Sequence, residues 1–544
     1  MLEGLMQHDY PLTLQLLLER MRRIYADSEV VSVRGTERTR ASYGEVVERA
    51  EQLSKALANL GVQQGDRVAT FAWNTREHLE AYLAVPCMGA VLHTLNVRLF
   101  ADQLTYIVNH AEDKVILVED SLVPVLEKLA PTFETVEHYV VIGDGPTGEL
   151  PNAHNYEELL SGQSPGYDFP RLEDDRQAAG LCYTSGTTGH PKGVLYSHRS
   201  NILHVLGQLM ADSIGTVSDD RVMPVVPMFH ANAWGIPYAA TMTGADLVMP
   251  GSNLKAEALA DLIETESVSV SAAVPTIWMD LLRHADEHQP DLSSLRLVIC
   301  GGSAVPMSLM QQFEQRQNVR IIQAWGMTET SPLGSVARPP REATEEEHWR
   351  YRATAGRPSA LVEARLIRDG GEEVPWDGTS TGELEVRGPW VARAYYRDEE
   401  SEAKFNDGWL RTGDIAAIDQ NGYIIISDRA KDVIKSGGEW ISSVELEIEI
   451  MAHPQVKEAA VISMPHERWG ERPLACVVVE ADADLTLDEL NEHLAPRVAK
   501  WWLPDELAII DEVPKTSVGK FDKKVLRRQL EEGRLTTRLS AAPG

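Results

Sequence analysis

Cysteine is scarce in this chain of 544 residues, which contains four. They stand far apart, at Cys87, Cys182, Cys300 and Cys476, and no Cys-x-x-Cys pair or mixed Cys/His spacing of a zinc site is present. This pattern predicts reduced thiols, in a core or near a site, in a protein of a reducing compartment.

Long apolar runs are also missing. No stretch approaches the roughly 20 apolar residues that a membrane-spanning helix needs. The N-terminus has an acidic residue early and no basic stretch, unlike a signal peptide. Its apolar residues instead fall on one face of a short helix, at Leu14, Leu17, Leu18 and Met21. We therefore expect a soluble, cytoplasmic protein with no integral membrane segment.

Positive charge is under-represented. The 51 Lys and Arg residues face 82 Asp and Glu residues, which gives a net charge of −31. This balance argues against a general binder of nucleic acid or of anionic membranes, although a local basic pocket can still bind an anionic substrate. The length is about three to four times that of a usual single domain, so we expect at least two domains.

Helices and strands alternate over most of the N-terminal part. A capping box, Ser42 with Glu45, begins a helix whose apolar positions keep helical spacing as far as Leu60. The alternation predicts an α/β fold with largely parallel sheets. A buried strand from Leu295 to Cys300 opens onto a Gly-Gly turn, and ligands in such sheets bind at the carboxyl ends of strands.

The pattern of predicted strands and helices changes towards the C-terminus. Short strands separated by Gly and Asp indicate a small β subdomain, and a compact α/β segment follows. We predict a large N-terminal domain (1–427) of stacked mixed sheets with helices plus a small β subdomain. A hinge linker (428–433) then leads into a small mobile α/β C-terminal domain (434–544).

The stretch "TSGTTGHPKG" (184–193) has the composition of a phosphate-binding loop. Its glycines allow a tight turn that points backbone N–H groups inward, and its hydroxyls and lysine add donors and charge. It is not a Walker A loop, because Pro191 precedes the lysine and Gly193 follows it. A solvated linker has a similar composition, but the strand-like segments on both sides favour an anion site. The candidate ligands are Thr184, Ser185, Gly186, Thr187, Thr188, Gly189 and Lys192.

Read as "YTSGTTGHPKGV", the loop resembles the signature of the adenylate-forming superfamily of acyl- and aryl-CoA synthetases, peptide-synthetase adenylation domains and beetle luciferases. Seven further motifs follow in the expected order, so the resemblance covers nearly the whole chain. It is greatest to bacterial medium- and long-chain fatty acyl-CoA synthetases, through "SGGEWISS" and "HANAW". The motifs are "PMFHANAW" (227–234), "CGGSAVP" (300–306), "AWGMTETSP" (324–332), "TGELEVRGP" (381–389), "GWLRTGDIA" (408–416), "DRAKDVIKSGGEWIS" (428–442) and "PKTSVGK" (514–520).

The resemblance implies an AMP-forming acid–thiol ligase that uses ATP, coenzyme A, a fatty acid and Mg²⁺. A carboxylate would attack the α-phosphate of ATP, and the coenzyme A thiol would then attack the acyl-adenylate. Glu329 would bind Mg²⁺ together with Thr184, Thr328 would donate to phosphate, and Lys520 would be the main adenylation residue. Taken alone, Glu329 could be a surface acid and Lys520 part of a solvated basic patch.

The nucleotide site follows from the same motifs. Trp325 stands where the family most often has Tyr, and an indole also offers a stacking face for adenine. Asp414 matches the carboxylate that holds the ribose hydroxyls, although an Asp after Gly is by itself more often a turn residue. The nucleotide residues implied by the resemblance are Gly302, Ser303, Ala304, Trp325, Gly326, Asp414 and Arg429.

The resemblance also implies residues for domain rotation and coenzyme A binding, and residues for the acyl group. Because the lysine and the incoming thiol need the same approach to the acyl carbonyl, the C-terminal domain of such enzymes rotates between steps, and Lys431 matches the hinge. The pantetheine tunnel would be lined by Gly437, Gly438, Glu439 and Trp440. Read alone, these positions are a linker charge and a Gly-Gly turn. His230 and Trp234 match the wall and gate of the acyl tunnel, and would share one face if their segment is helical.

Other functions stay open. An aryl- or short-chain carboxylate–CoA ligase has the same machinery and a different pocket, and a luciferase-type oxygenase would show no motif difference. An adenylation domain that feeds a carrier protein would need a carrier segment, which we do not find. A non-catalytic nucleotide-binding sensor would be expected to lack Lys520 or Glu329, and both are present. Similar synthetases include homodimers, so the expected partners are small molecules and a second copy of the chain, with no nucleic acid.

Overall fold

The computed structural model describes residues 2, 4–184, 190–368, 370–429, 432–436, 439–480, 483–516 and 521–539. Within these ranges the chain forms fifteen α-helices. Their bounds are Gln15–Arg23, Tyr43–Asn59, Arg76–Cys87, Ala101–Ala111, Val123–Leu129, Tyr156–Ser161, His198–Leu209, Ile236–Thr243, Ala256–Glu266, Pro275–His288, Met307–Gln317, Glu345–Arg352, Ser443–Met451, Leu487–Leu494 and Lys523–Glu531.

Two large sheets form the body of the N-terminal region. The first sheet has nine strands in the described part of the chain, and its central strands are parallel. In spatial order they are Arg357–Pro358, Leu333–Val336, Ile321–Gly326, Leu297–Gly301, Val270–Ala273, Arg221–Pro224, Asp246–Met249, Glu29–Arg34 and Glu37–Ser42.

The second sheet has seven strands among the described residues. Its neighbours are parallel apart from one antiparallel hairpin, Ala178–Tyr183 with Gly193–Ser197, whose two strands flank the glycine- and hydroxyl-rich loop. In spatial order the strands are Ala153–Asn155, His138–Ile142, Asp113–Glu119, Arg67–Phe71, Val91–Thr94, Ala178–Tyr183 and Gly193–Ser197.

One hydrophobic core joins the two sheets. Leu53 and Leu83, on the helices Tyr43–Asn59 and Arg76–Cys87, are buried in the same cluster as Leu92 of the second sheet and Leu247 of the first. Apolar spacing along the helices produces this contact, since residues three and four apart share one helix face. The predicted α/β layering is therefore confirmed.

Local predictions near the N-terminus are also confirmed. The Ser42 hydroxyl accepts the Glu45 N–H at 3.2 Å, and the Glu45 carboxylate accepts the Ser42 N–H at 2.7 Å, so the capping box is complete. A prediction in the middle of the chain needs a small correction: the strand predicted from Leu295 to Cys300 begins two residues later, at Leu297. Leu295 instead closes a turn by donating its N–H to the Leu292 carbonyl.

The predicted β subdomain is an antiparallel sheet with five strands in the described part of the chain. These are Glu363–Ile367, Gly382–Arg387, Trp409–Ile418, Phe405–Asn406 and Ile424–Arg429. The C-terminal sheet has six described strands. These are Glu439–Ile441, Ile434–Ser436, Gly470–Val479, Glu506–Ile509, Thr537–Leu539 and Val456–His466.

A buried polar cluster connects the β subdomain to the C-terminal helices. Asp428 accepts hydrogen bonds from the Ser443 backbone N–H and hydroxyl, each at 2.6 Å. Lys523 donates to the same hydroxyl at 2.6 Å and forms an ion pair with Glu447 at 2.7 Å. The C-terminal sheet begins at Ile434; the boundaries at 427 and 434 and the hinge role of Lys431 stay predictions, and Lys431 lies outside the described residues.

The four cysteines are free and buried. Burial raises the pKa of Cys182 to about 11 and that of Cys476 to about 12, so both thiols are protonated at neutral pH. No helix in the described part of the chain combines the length and the apolar character that crossing a membrane requires.

Candidate functional site

A cavity of about 670 Å³ opens at the carboxyl ends of the strands Leu297–Gly301 and Ile321–Gly326. Its wall combines residues of the two large sheets, the β subdomain and the C-terminal region, where Thr516 and Phe521 contribute. The predicted site residues that line it are Thr184, Lys192, His230, Trp234, Gly302, Trp325, Gly326, Thr328, Glu329 and Arg429. Residues from eight of the sequence motifs or their flanks are thus brought to one end of the sheet, as expected for a parallel α/β fold.

Behind the lining residues Trp325 and Arg429 lies the buried carboxylate of Asp414, which is 2% exposed and is not itself part of the described cavity lining. The Trp325 indole N–H donates to one carboxylate oxygen at 2.9 Å, and the Arg429 Nε lies 2.7 Å from the other. The indole lies against Gly334, where an added Cβ would come within 2.3 Å of the ring. Trp325 is therefore accommodated by a glycine on the neighbouring strand, and its ring nitrogen supplies a donor that fixes Asp414.

Glu329 is a second buried carboxylate, carried by the short turn Thr328–Thr330. One of its oxygens accepts the Tyr395 hydroxyl at 2.6 Å. Burial and the neighbouring Glu329 carboxylate raise the pKa of Tyr395, so the phenol remains a proton donor at neutral pH. The Tyr196 hydroxyl donates to the Thr328 carbonyl at 2.7 Å and holds the same turn from the second sheet.

Thr184 and Lys192 lie at the two ends of the glycine-rich loop. The Thr184 N–H donates to the Lys192 carbonyl at 2.9 Å, and the Lys192 N–H donates to the Thr184 hydroxyl at 3.1 Å. The Lys192 ammonium forms an ion pair with Asp398 at 2.8 Å and lies 5.0 Å above the Tyr395 ring. The predicted phosphate ligands Ser185, Gly186, Thr187, Thr188 and Gly189 lie outside the described residues.

The prediction that His230 and Trp234 share one helix face holds only if their segment is helical, and that condition is not met. The backbone from Ala231 to Trp234 is left-handed, with φ between 43° and 59°. Such a conformation costs roughly 1–2 kcal/mol per non-glycine residue, so surrounding contacts must impose it. Among these contacts, the Gln208 side chain donates to the Trp234 carbonyl. Both predicted side chains nevertheless line the cavity, because the tight turn brings them to it.

The part of the cavity wall around the left-handed turn is mostly apolar. The strands and loops around the left-handed turn contribute aliphatic side chains, and Gln208 is the polar residue among them. Beneath this wall, burial lowers the pKa of His204 to about 3, so the imidazole is neutral and accepts the Leu333 N–H at 3.2 Å. The aliphatic lining residues are Ile214, Val226, Val274, Ile299, Ala324 and Leu333.

The other predicted site residues are not part of the described cavity lining or lie outside the described residues. Ser303 is exposed, and neither it nor Ala304 belongs to the described cavity lining. Glu439 and Trp440 lie in the strand Glu439–Ile441. Gly437, Gly438 and Lys520 lie outside the described residues, so their predicted roles stay predictions.

Sequence reasoning missed Tyr196, Tyr395 and Asp398. Each contacts a predicted residue across a long sequence separation; Tyr395, for example, is 66 positions from Glu329. No spacing or composition signal marks them. The contacts of Tyr395 and Asp398 arise only when their segment packs against the large sheets, and that of Tyr196 arises only when the two large sheets pack together.

The residues present fit a hard cation at Glu329. Within the described ranges, no cluster of three or more His, Cys, Asp or Glu side chains could hold a metal ion by itself. Mg²⁺, however, is commonly bound through one or two carboxylates together with substrate phosphates. Glu329 meets that need, because Tyr395 binds one of its oxygens and no described hydrogen bond involves the other.

Comparison with known proteins gives a consistent result. Residues 18–396 match the model of the AMP-binding enzyme family, and residues 445–520 match that of the AMP-binding enzyme C-terminal domain. The chain is 46% identical over 96% of its length to a long-chain-fatty-acid–CoA ligase of Thermus thermophilus, covering 96% of that protein. It is 43% identical over 96% of its length to a 3-methylmercaptopropionyl-CoA ligase of Ruegeria lacuscaerulensis, covering 98% of that protein.

The solved structures agree with the sequence relatives. The crystal structure of an anthranilate CoA ligase in complex with anthranoyl-AMP is similar to this chain with a TM-score of 0.88 and 26% identity. The match covers 96% of this chain and 99% of the other.

Proposed function

The chain belongs to the AMP-binding enzyme family and is an AMP-forming acid–thiol ligase, and from that premise we propose that it converts a fatty acid into its coenzyme A thioester. The observation that carries the proposal is one cavity in which Trp325 and Arg429, which hold the Asp414 carboxylate behind them, and Glu329 adjoin an aliphatic surface. A nucleotide on the polar side would place its α-phosphate beside the carboxylate of an acyl chain that lies on the apolar side.

The polar wall is suited to hold ATP. Asp414 would accept hydrogen bonds from the ribose hydroxyls, while Trp325 and Arg429 keep its carboxylate in place. The Trp325 ring would stack on adenine. Thr184 and Lys192, with the loop between them, would bind the phosphates that leave as pyrophosphate, so Lys192 would exchange Asp398 for a phosphate group.

The chemistry takes two steps. A carboxylate oxygen of the acid bonds to the α-phosphorus of ATP, and the bond to the bridging oxygen breaks to release pyrophosphate. The thiol sulfur of coenzyme A then bonds to the acyl carbon, its proton is lost and AMP leaves. Negative charge on the phosphate oxygens would be stabilised by Lys520 and Thr328. Mg²⁺ at Glu329, bound also by Thr184, would supply further charge neutralisation on the phosphates.

The acyl group would lie on the aliphatic wall, bounded by His230 and Trp234. Rotation of the C-terminal domain about Lys431 would then bring the segment from Gly437 to Trp440 to the acyl-adenylate, as the resemblance implies. A short-chain acid is the second candidate substrate, because the similar Ruegeria protein is named for 3-methylmercaptopropionate.

Carboxylate-dependent ATP–pyrophosphate exchange tests the proposed substrate class. The panel runs from acetate to palmitate and includes 3-methylmercaptopropionate and benzoate. We expect the highest kcat/KM with medium- or long-chain acids, because each buried methylene contributes about 0.8 kcal/mol, or roughly a factor of four. Exchange with benzoate or 3-methylmercaptopropionate alone would contradict the fatty acid assignment, and exchange with no acid would contradict the enzymatic one.

The Trp325→Phe variant tests the nucleotide wall. It keeps an aromatic ring against Gly334 but removes the donor to Asp414, so the Kd for ATP should rise about tenfold. Isothermal titration calorimetry measures this change, and Trp469→Phe, at an exposed indole, is the matched control. Equal affinity in Trp325→Phe and the wild type would show that the indole N–H has no part in nucleotide binding.

The Lys520→Ala variant tests whether Lys520 acts in adenylation and not in thioester formation. Adenylation should slow by roughly 10²–10³, because a charge-stabilising donor is lost, while preformed acyl-adenylate should still be converted to thioester. Lys524→Ala, at an exposed lysine nearby, should retain both steps. If a folded Lys520→Ala variant lost both steps equally, the role given to Lys520 would be wrong.

A further inference from the structure

A second cavity, of about 290 Å³, lies near the start of the strand Ile321–Gly326, whose other end reaches the main cavity. It is lined by the loop that follows the strand Leu333–Val336 and by the helix Glu345–Arg352. Its charged and titratable lining residues are Asp212, Arg320, Arg338, Arg341, His348 and Arg352. None of the motifs that build the main cavity contributes these side chains.

The charge of this second cavity is opposite to that of the whole chain. Four arginines and one aspartate line it, although the chain carries a net charge of −31. Among the described residues, Arg320, Arg338 and Arg341 form no ion pair with a carboxylate. Unpaired arginines that converge on one concave surface produce a local positive potential inside an acidic surface field.

Arg352 is the fixed point of the cluster and is 2% exposed. One guanidinium nitrogen donates to the Ile321 carbonyl at 3.0 Å, another pairs with Glu314, and the group lies 4.3 Å above the Trp349 ring. Its Nε is buried and has no hydrogen-bond partner among the described residues. An unsatisfied buried donor is costly, so it indicates a position where an acceptor would be stabilising.

Arg338 is held at the cavity by its own backbone and side-chain contacts. Its Nε donates to the Ser213 carbonyl at 2.7 Å, and its carbonyl accepts the Tyr423 hydroxyl at 2.5 Å. Burial and the neighbouring charges of Arg320 and Arg296 lower the pKa of Arg338, while Asp212 opposes that shift. Positive charge at this side chain is thus only partly compensated by the surrounding protein.

We propose that this second cavity binds a phosphate-type oxyanion. Guanidinium groups match the geometry of phosphate oxygens and can donate two parallel hydrogen bonds to them. At about 30 Å³ per water molecule, the volume equals roughly ten waters, which is enough for a hydrated phosphate or a pyrophosphate. Arg320, Arg338 and Arg341 supply most of the positive charge, and Arg352, held in place by Ile321, Glu314 and Trp349, supplies a further fixed charge at the cavity wall.

The test is titration of inorganic phosphate, and separately of pyrophosphate, into the full-length protein at constant ionic strength. The variant Arg320→Gln/Arg341→Gln removes two exposed, unpaired charges, so the fold should be preserved and its thermal midpoint unchanged. The Kd for phosphate should be about tenfold higher or more in this variant than in the wild type. Because pyrophosphate is also the product proposed to leave the main cavity, the two probes are compared in Lys192→Gln, where tighter binding of pyrophosphate than of phosphate would support a diphosphate ligand.

Two matched variants separate this site from general charge effects and from the main cavity. Arg350→Gln changes an exposed arginine of the same helix that is not part of the described cavity lining, and Lys192→Gln changes the lysine of the main cavity. Arg350→Gln should retain all the phosphate binding of the wild type. Lys192→Gln weakens the phosphate site proposed at the main cavity, and it should retain the component of binding that the double variant weakens. Binding to Lys192→Gln that the added double substitution leaves unaffected, loss of all binding in Lys192→Gln, or no binding of either probe to the wild type would each overturn the proposal.

Discussion

The carboxylate of Asp414 is the constraint on which the polar side of the main cavity depends. It is buried, and its two oxygens are held by the Trp325 indole and the Arg429 guanidinium, which come from the first sheet and from the β subdomain. A buried carboxylate with donors on both oxygens is stable and keeps one orientation. Packing of the β subdomain against the first sheet therefore also fixes the geometry that we assign to the ribose site.

The same packing also fixes the position of the second buried carboxylate, Glu329. Tyr395 reaches Glu329 only because the segment between the β strands folds back onto the short turn Thr328–Thr330, and the Ala392 N–H donates to the Glu329 carbonyl at 2.7 Å. Polar groups thus face the expected nucleotide, while the left-handed turn at Ala231–Trp234 presents an apolar surface next to them. The juxtaposition of the two surfaces, more than any single residue, supports an acid-activating function.

Much of this arrangement could be predicted from local sequence. The capping box at Ser42 and the parallel α/β layering follow from periodicity, and a site at the carboxyl end of the strand that ends near Cys300 follows from topology, whereas most site residues were predicted from the family resemblance. The left-handed turn could not be predicted, because four consecutive non-glycine residues adopt it only under tertiary contacts such as that of Gln208. Nor could Tyr395, Asp398 or the arginine cluster at Arg352, since each depends on segments distant in sequence.

The central claim is that a substrate carboxylate meets the α-phosphate of ATP in the main cavity. The most direct measurement follows oxygen from a fatty acid labelled with ¹⁸O in its carboxylate, with mass analysis of the products after one turnover in the presence of coenzyme A. The account predicts one labelled oxygen in AMP and the other in the thioester. Label in pyrophosphate or phosphate, or AMP without label, would contradict it.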